Sequence, residues 1–351
     1  MVRRNTVGGS VLDAVLQAWP EVAADLSSGA VAPAPGGLIN ATWLVGRRWV
    51  VQRLHPIFAG EVCLDIAALG ARLAAAGVPV PALVPASSGA LWVERDGAVW
   101  RVQTRLPGAN AAGAGTLGQV RAAAAALGRF HGALVGVDHA FAFSRLGIHD
   151  TPAHLARLAE AVAAHPTHRL AARVAPLAAA IAAAWEAWEQ PPALPRRVGH
   201  GDPKLANFLF EGDAVSGVID LDTMGWTTLD AELGDALRSW CSSTDESAAA
   251  PRFSVERFTA AVAGYLATAR GWVTPAEIAV LPRAAERVAL ELASRFAADA
   301  LNEAYFGWDP ALAPGRGEHN LMRAENQLAL ARDARARRGD LEAALSQLSP
   351  G

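Results

Sequence analysis

HGDPKLANFLFEGDAVSGVIDLDT, residues 200–223, ties local structure to chemistry more closely than any other part of the chain. Asp202 precedes Asn207 by five residues, and an Asp-x-Asp pair, Asp220 and Asp222, begins thirteen residues after Asn207. Between them, FLF and SGVI have the character of two short strands around a Glu211-Gly212-Asp213 turn. A hairpin of that size returns its ends to one place, so Asp202, Asn207 and Asp220 should converge. Their oxygens suit a hard divalent cation such as Mg²⁺, which takes one or two carboxylates and fills its shell with phosphate oxygens. A polar turn with a few solvated acids would account for an HxD triplet alone. The Asp-to-Asn interval, the strand-turn-strand spacer and the apolar setting of VIDLD together favour a site.

The layout is that of a kinase catalytic loop followed by a metal-binding Asp. Asp202 would accept the proton of a substrate hydroxyl and orient that hydroxyl, with Lys204 in reach of a γ-phosphate. Asn207 and Asp220 would hold Mg²⁺. Asp222 is read either as a second metal ligand or as a contact to the acceptor, and His200 as a brace for the loop. HGDPKLANFLF with VIDLDT resembles the aminoglycoside phosphotransferase and choline kinase superfamily, which has a protein-kinase-like fold. Within it the chain is most similar to the N-acetylhexosamine 1-kinases. That likeness is carried by GGLINATWLV (36–45) with WVVQRLHPIF (49–58), by GVIDLDTM with LGDALRS, and by SRFAADALNEAYF with GEHNLMRAENQLAL (294–330). It runs from about Gly36 to Leu330.

The resemblance implies an α+β, two-lobed protein-kinase-like fold with a small β-rich N-lobe, residues 1–104, and a large helical C-lobe, residues 105–351. It implies ATP and Mg²⁺ as cofactors and the anomeric hydroxyl of an N-acetylhexosamine as acceptor. Arg295 is the expected sugar contact, and Trp226, just after the metal loop, could offer an aromatic face. Asp299, Tyr305, His319, Asn320 and Arg323 are weaker candidates, since polar helix residues are mostly surface. Other acceptors stay open: an aminoglycoside, a choline-like amine or homoserine. So does a catalytically inactive nucleotide-binding regulator.

Outward from this centre, the N-terminal third reads in the order strand, strand, helix, hairpin. Leu12 to Leu26 has helical spacing and APAPGG (32–37) breaks it. INATWLV and WVVQRL form two strands about a Gly46-Arg47-Arg48 turn, followed by a helix from Glu61 to Ala76 closed by Gly77. VPVPALVPA reads as an extended connector, and LWVERDGAVWRVQTRL as a hairpin turning at Asp96-Gly97. Gln103 to Gly108, including Thr104 and Leu106, would be the hinge that meets an adenine. Gly36 and Gly37 could admit phosphates to backbone amides, or could only loosen a Pro-rich turn.

The third strand lacks the Lys usual in kinase-like folds. It reads VVQR, and a one-residue slip decides whether Gln52 or Arg53 faces inward. Arg53 paired with Glu61 or Asp65 is one source of the missing cation, and Lys204 another. From Thr116 onward the pattern is helical except for the catalytic hairpin, with a helix start at Thr274-Pro275. His131 is expected to be structural, and Asp235 with Arg238 an ion pair.

Composition narrows the class. At 351 residues the chain suits two lobes, and 52% apolar with 19% charged residues is globular. A net charge of −3 gives no electrostatic case for nucleic acid or an anionic membrane. Two isolated cysteines, Cys63 and Cys241, argue against disulfides or a zinc site. No GxxxxGK[ST] occurs, which excludes a P-loop. The start has no signal-peptide pattern, and the Val174–Trp185 run is too short to span a bilayer, so a cytoplasmic location is expected.

Overall fold

The computed structural model describes residues 9–28, 31–34, 39–144 and 147–348. Helical spacing near the start resolves into two helices, α1 (Gly9–Leu16) and α2 (Pro20–Ser28), rather than one. Pro20 causes the break: it has no N–H to donate, and is tolerated in a first helical turn but not within a helix.

An antiparallel sheet follows, built from β1 (Val31–Pro33), β2 (Ala41–Val45), β3 (Trp49–Arg53), β4 (Leu83–Val84), β5 (Val93–Arg95) and β6 (Ala98–Thr104). Its order is β1-β2-β3-β6-β4, with β5 also paired to β6. β1 lies in the stretch read as a breaker; Pro33 is accommodated because this is an edge strand. The two expected turns are present: Gly46 has φ 55°, and Asp96 and Gly97 have φ 52° and 69°, as a two-residue hairpin loop requires.

Trp43, Val45, Val51, Trp100 and Val102 point to one face of the sheet and pack on Leu12, Val15, Leu16, Trp19 and Val22 of the first two helices. By strand alternation the other face carries Thr42, Gln52 and Arg101, which are cross-strand partners. That face looks toward α3 (Val62–Ala75), whose Val62, Ile66, Leu69 and Leu73 belong to the core of the helical region. Gly77, at φ 75°, ends α3 where the sequence placed its stop.

The chain leaves the sheet after Thr104. β7 (Ala109–Asn110) leads to α4 (Leu117–Ala133), started by a Thr116/Gln119 capping box. α5 (Thr151–Ala164) and α6 (Ala171–Glu186) come next, then β8 (Arg196–Gly199), β9 (Phe208–Glu211), β10 (Ala214–Val218), β11 (Gly225–Thr228) and α7 (Leu229–Trp240). The remainder is helical: α8 (Val255–Ala269), α9 (Pro275–Ala279), α10 (Leu281–Asn302), α11 (Arg316–Ala336) and α12 (Arg338–Leu348). The Thr274/Glu277 capping box confirms the start of α9, and Pro282 separates α10 from it. One core joins α3, α4, α7 and α8; a second joins α5, α6, α10 and α11. The molecule is thus α+β, with the sheet in its N-terminal region and helices in its C-terminal region. No helix among the described residues is long and apolar enough to cross a membrane.

Candidate active site

The hairpin expected between Asn207 and Asp220 forms as its sequence suggests. β9 and β10 pair about Gly212 (φ 63°), with a register shift between Val215 and Gly217. The two ends of the hairpin are then stitched together. Ile219 N–H donates to the Asn207 carbonyl at 2.9 Å, and His200 Nε2 bonds the Ile219 carbonyl at 2.9 Å. Thr223 Oγ1 donates to the His200 carbonyl at 2.9 Å. Residues 200–207 and 219–223 are therefore one unit carrying Asp202, Lys204, Asn207 and Asp220. His200, fully buried, is the brace expected of it.

Within this unit Lys204 Nζ lies 2.5 Å from Asp202 Oδ2. Burial works against charge on both, but each holds the other ionised: Asp202 is shifted below the usual carboxylate range and Lys204 above the usual ammonium range. Asn207 gives its Nδ2 to the Asp202 carbonyl at 2.7 Å, which leaves Oδ1 to act as an acceptor. Asp220 sits in the left-handed region at φ 65°, ψ 56°, an unusual conformation for a non-glycine residue. The protein crowded around its carboxyl, then the charge of Asp222, pushes its pKa up to about 6. Among the described residues Asp220 forms no ion pair, whereas Asp202 has Lys204 and Asp222 has Arg101. An all-oxygen pair, one carboxylate without a protein cation and one amide, fits Mg²⁺. When bound, such an ion would neutralise charge on nucleotide phosphates.

The structure takes Asp222 out of that set. Its side chain is buried and both oxygens are occupied: Arg101 Nη1 and Nη2 donate at 2.5 and 3.0 Å, and Asn40 Nδ2 donates at 2.7 Å. With three donors from Arg101 and Asn40 already on it, this carboxylate is committed to a structural pair rather than to the metal or the acceptor. The strand register also corrects Arg53. It lies on the face of Trp43 and Trp100, away from Gln52 and Arg101, so the inward residue is Gln52. Neither proposed partner reaches Arg53 through an ion pair; Asp65 instead accepts the Ala142 and Phe143 N–H groups and bonds His139. Gly36 and Gly37 fall outside the described residues.

Gln103 is buried at the end of β6. Thr104 closes onto Ala82 through its backbone N–H and its Oγ1. Leu106 packs against Gly217, where a β-carbon would fall 2.7 Å from Leu106 Cδ1. The segment expected to form the hinge therefore lies against the hairpin that joins Asn207 to Asp220. Trp226 is 38% exposed, its Nε1 bonded to the His139 carbonyl at 3.3 Å.

Arg295 on α10 is stacked 5.5 Å from the Phe306 ring and lies 4.0 Å from Glu291. Glu291 in turn bonds His149 and Thr151, and His149 feels the charge of Asp235, which feels that of Asp202. Glu291, His149 and Asp235 form a polar wall in the helical region, and Asp235 also feels the charge of Asp202. Asp299 caps the end of α10 through Ala304, Tyr305 and Phe306 N–H groups and holds Asn320, a structural duty. His319 is occupied by Ser247 and Asp309.

Glu232 escaped the sequence reading. Fully buried on α7, it accepts the His200 N–H at 2.7 Å and the Gly201 N–H at 3.0 Å, and bonds His131 at 3.1 Å. Burial would raise its pKa, but the His131 and His200 interactions win and pull it down to about 2. Gly199 allows this approach, since a β-carbon there would meet Glu232 Oε2 at 2.6 Å. His131 is structural, as expected, with Tyr265 on its other nitrogen; Asp235 and Arg238 form their ion pair at 2.9 Å.

Residues 30–272 match the model of a phosphotransferase enzyme family, the APH family. The chain belongs to that family. Members act on hydroxyl groups of small molecules, so this protein is a small-molecule phosphotransferase. Solved structures agree on the fold at low identity. A choline/ethanolamine kinase family protein from Mesorhizobium loti is 17% identical, with 96% of this chain and 99% of that one covered and a TM-score of 0.59. A microcompartment-associated aminopropanol kinase gives 18%, 94% and 98%, and 0.62. An amicoumacin kinase in complex with AMP-PNP and Ca²⁺ gives 13%, 85% and 87%, and 0.59.

Proposed function

We propose that this phosphotransferase is an ATP- and Mg²⁺-dependent kinase that phosphorylates the anomeric hydroxyl of an N-acetylhexosamine. The observation that carries the kinase part is the hydrogen-bonded unit of residues 200–207 and 219–223, which gathers Asp202, Lys204, Asn207 and Asp220. Asp202 orients the acceptor hydroxyl and takes its proton. Lys204 keeps that carboxylate ionised and lies near the phosphates. Asn207 and Asp220 hold the cation.

Charge is what supports this choice of acceptor. A polycationic aminoglycoside calls for acids with charge to spare, but the acids of the polar wall have protein partners. Asp235 and Glu246 share Arg238, Asp230 binds Arg287, and Glu291 is engaged by His149 and Thr151. Acids already engaged in this way, beside fixed donors, support a polyhydroxylated acceptor over a polycation. Arg295, whose guanidinium offers several fixed donors, is the residue assigned to the sugar.

The test is a kinase assay over N-acetylglucosamine, N-acetylgalactosamine, aminoglycosides and amino alcohols, with Asp202→Asn as the control. The variant should lose about two to four orders of magnitude in turnover while still binding nucleotide. The product should carry phosphate on the anomeric carbon, and the methyl glycoside should be inert. Robust phosphorylation of that glycoside, or turnover only of an amine-bearing acceptor, would remove the sugar assignment.

A further inference from the structure

The cleft face of β3 carries Val50 and Gln52 where kinase-like folds present a lysine. Directly opposite Gln52, Arg101 of β6 is 1% exposed. Its Nε and Nη2 donate to Gln52 Oε1 at 2.9 and 2.7 Å, and its Nη1 and Nη2 donate to Asp222. Asn40 adds a bond to Asp222, and its own Oδ1 accepts the His55 N–H at 2.9 Å. From α3, the helix that would supply a glutamate, the guanidinium is met by the buried Cys63 thiol. Arg101 thus draws its carboxylate from the metal loop rather than from the helix.

Taking both ions out of water is costly, and such pairs are often replaceable by apolar residues without loss of stability. The position of the pair suggests what else it does. Asp220 holds a left-handed conformation, which is costly for a non-glycine residue and persists only where neighbours over-determine it. On its N-terminal side Ile219 is pinned to Asn207 and His200. On its C-terminal side Asp222 is pinned to Arg101 and Asn40.

We propose that the Arg101–Asp222 pair is a positioning strut, by which the N-terminal sheet holds the metal loop so that Asp220 and Asn207 present their oxygens to one cation. This rests on the kinase reading above but not on the identity of the acceptor. Neither residue touches the cation in this account; they act through Asp220.

The experiment is calorimetric binding of AMP-PNP with and without Mg²⁺, together with thermal unfolding, on the parent, Asp222→Asn and the double variant Arg101→Met/Asp222→Leu. In the parent, Mg²⁺ should tighten AMP-PNP binding; failure there sinks the kinase reading itself. Asp222→Asn should raise the Mg²⁺ concentration for half-maximal binding by about ten- to a hundred-fold, the usual cost of losing a group that orients a metal ligand. The double variant removes both buried charges, so its unfolding temperature should return toward the parent while its Mg²⁺ requirement stays raised. A double variant that recovers folding and also binds Mg²⁺ within twofold of the parent would make the pair a packing device and overturn the proposal.

Discussion

Replacing Glu232 with Gln tests the brace on which the proposed catalytic loop rests. Glu232 is fully buried and receives two backbone N–H groups from His200 and Gly201. A carboxyl held at about 2 instead of its ordinary 4.5 contributes on the order of 3 kcal/mol to folding. In Glu232→Gln one N–H keeps an acceptor, but the other meets the amide Nε2, a donor, so that bond is lost and a buried N–H is left unsatisfied. The expected loss near neutral pH is therefore about 3 kcal/mol, measured as the shift in urea unfolding. The sign in pH follows from the lowered value. The carboxylate's contribution is complete above the unfolded value of 4.5 and drains away as the pH falls through about 2. Parent and variant should differ by a constant amount down to about pH 5 and converge below it. Turnover should fall as well, because the displaced loop carries Asp202. A variant within 1 kcal/mol of the parent at neutral pH, or a gap that does not close in acid, would refute the role given to Glu232.

Asp220→Ala should abolish the Mg²⁺-dependent part of nucleotide binding along with activity, and unchanged Mg·ATP affinity by calorimetry would move the metal elsewhere. Gly201→Ala should cost roughly 2 kcal/mol or more in stability and most of the turnover, because Gly201 has φ 82° and a β-carbon would overlap the Thr223 carbonyl oxygen; a fully active variant would mean the two loops need not be so close. Arg295→Ala should raise the Michaelis constant for the sugar by about ten- to a hundred-fold, the worth of hydrogen bonds to a charged group, with that for ATP unchanged. Equal effects on both constants, with a lowered unfolding temperature, would assign Arg295 to Phe306 and Glu291 instead.

Local signals carried much of this structure. The turns at Gly46, Asp96-Gly97 and Gly212, the stop at Gly77 and the cap at Thr274 depend on a few neighbouring residues, and each lies where the sequence placed it. What the sequence left open was non-local. Whether Gln52 or Arg53 faces the cleft is a matter of register, set by pairing with Arg101 across 49 positions. Asp222 looked like a second metal ligand because it follows Asp220 by two. Its partner Arg101 is 121 residues away, and no local pattern announces that pair. Glu232 drew no attention in the sequence, because an acid on a helix downstream of the loop carries no local sign of the backbone groups it will accept. The pairing of β8 with β11 was hidden for the same reason.

Charge accounting across the cleft connects these corrections to the chemistry. Three acids lie within reach of one another, and two have cations of their own: Lys204 for Asp202 and Arg101 for Asp222. On the proposed reading, Asp220 and the Asn207 amide would be the side chains that the described residues offer to the metal, which is short of the six oxygens Mg²⁺ demands. The balance must come from water and nucleotide phosphates. With no lysine on β3 to hold those phosphates, cation and nucleotide depend on each other more than they would in a fold that has one. Mg²⁺ alone should bind this protein weakly, at millimolar levels or worse, and become tight only with the nucleotide. Calorimetric titration of Mg²⁺ into the nucleotide-free protein checks this, and a micromolar site there would mean that ligands beyond Asn207 and Asp220 complete the shell.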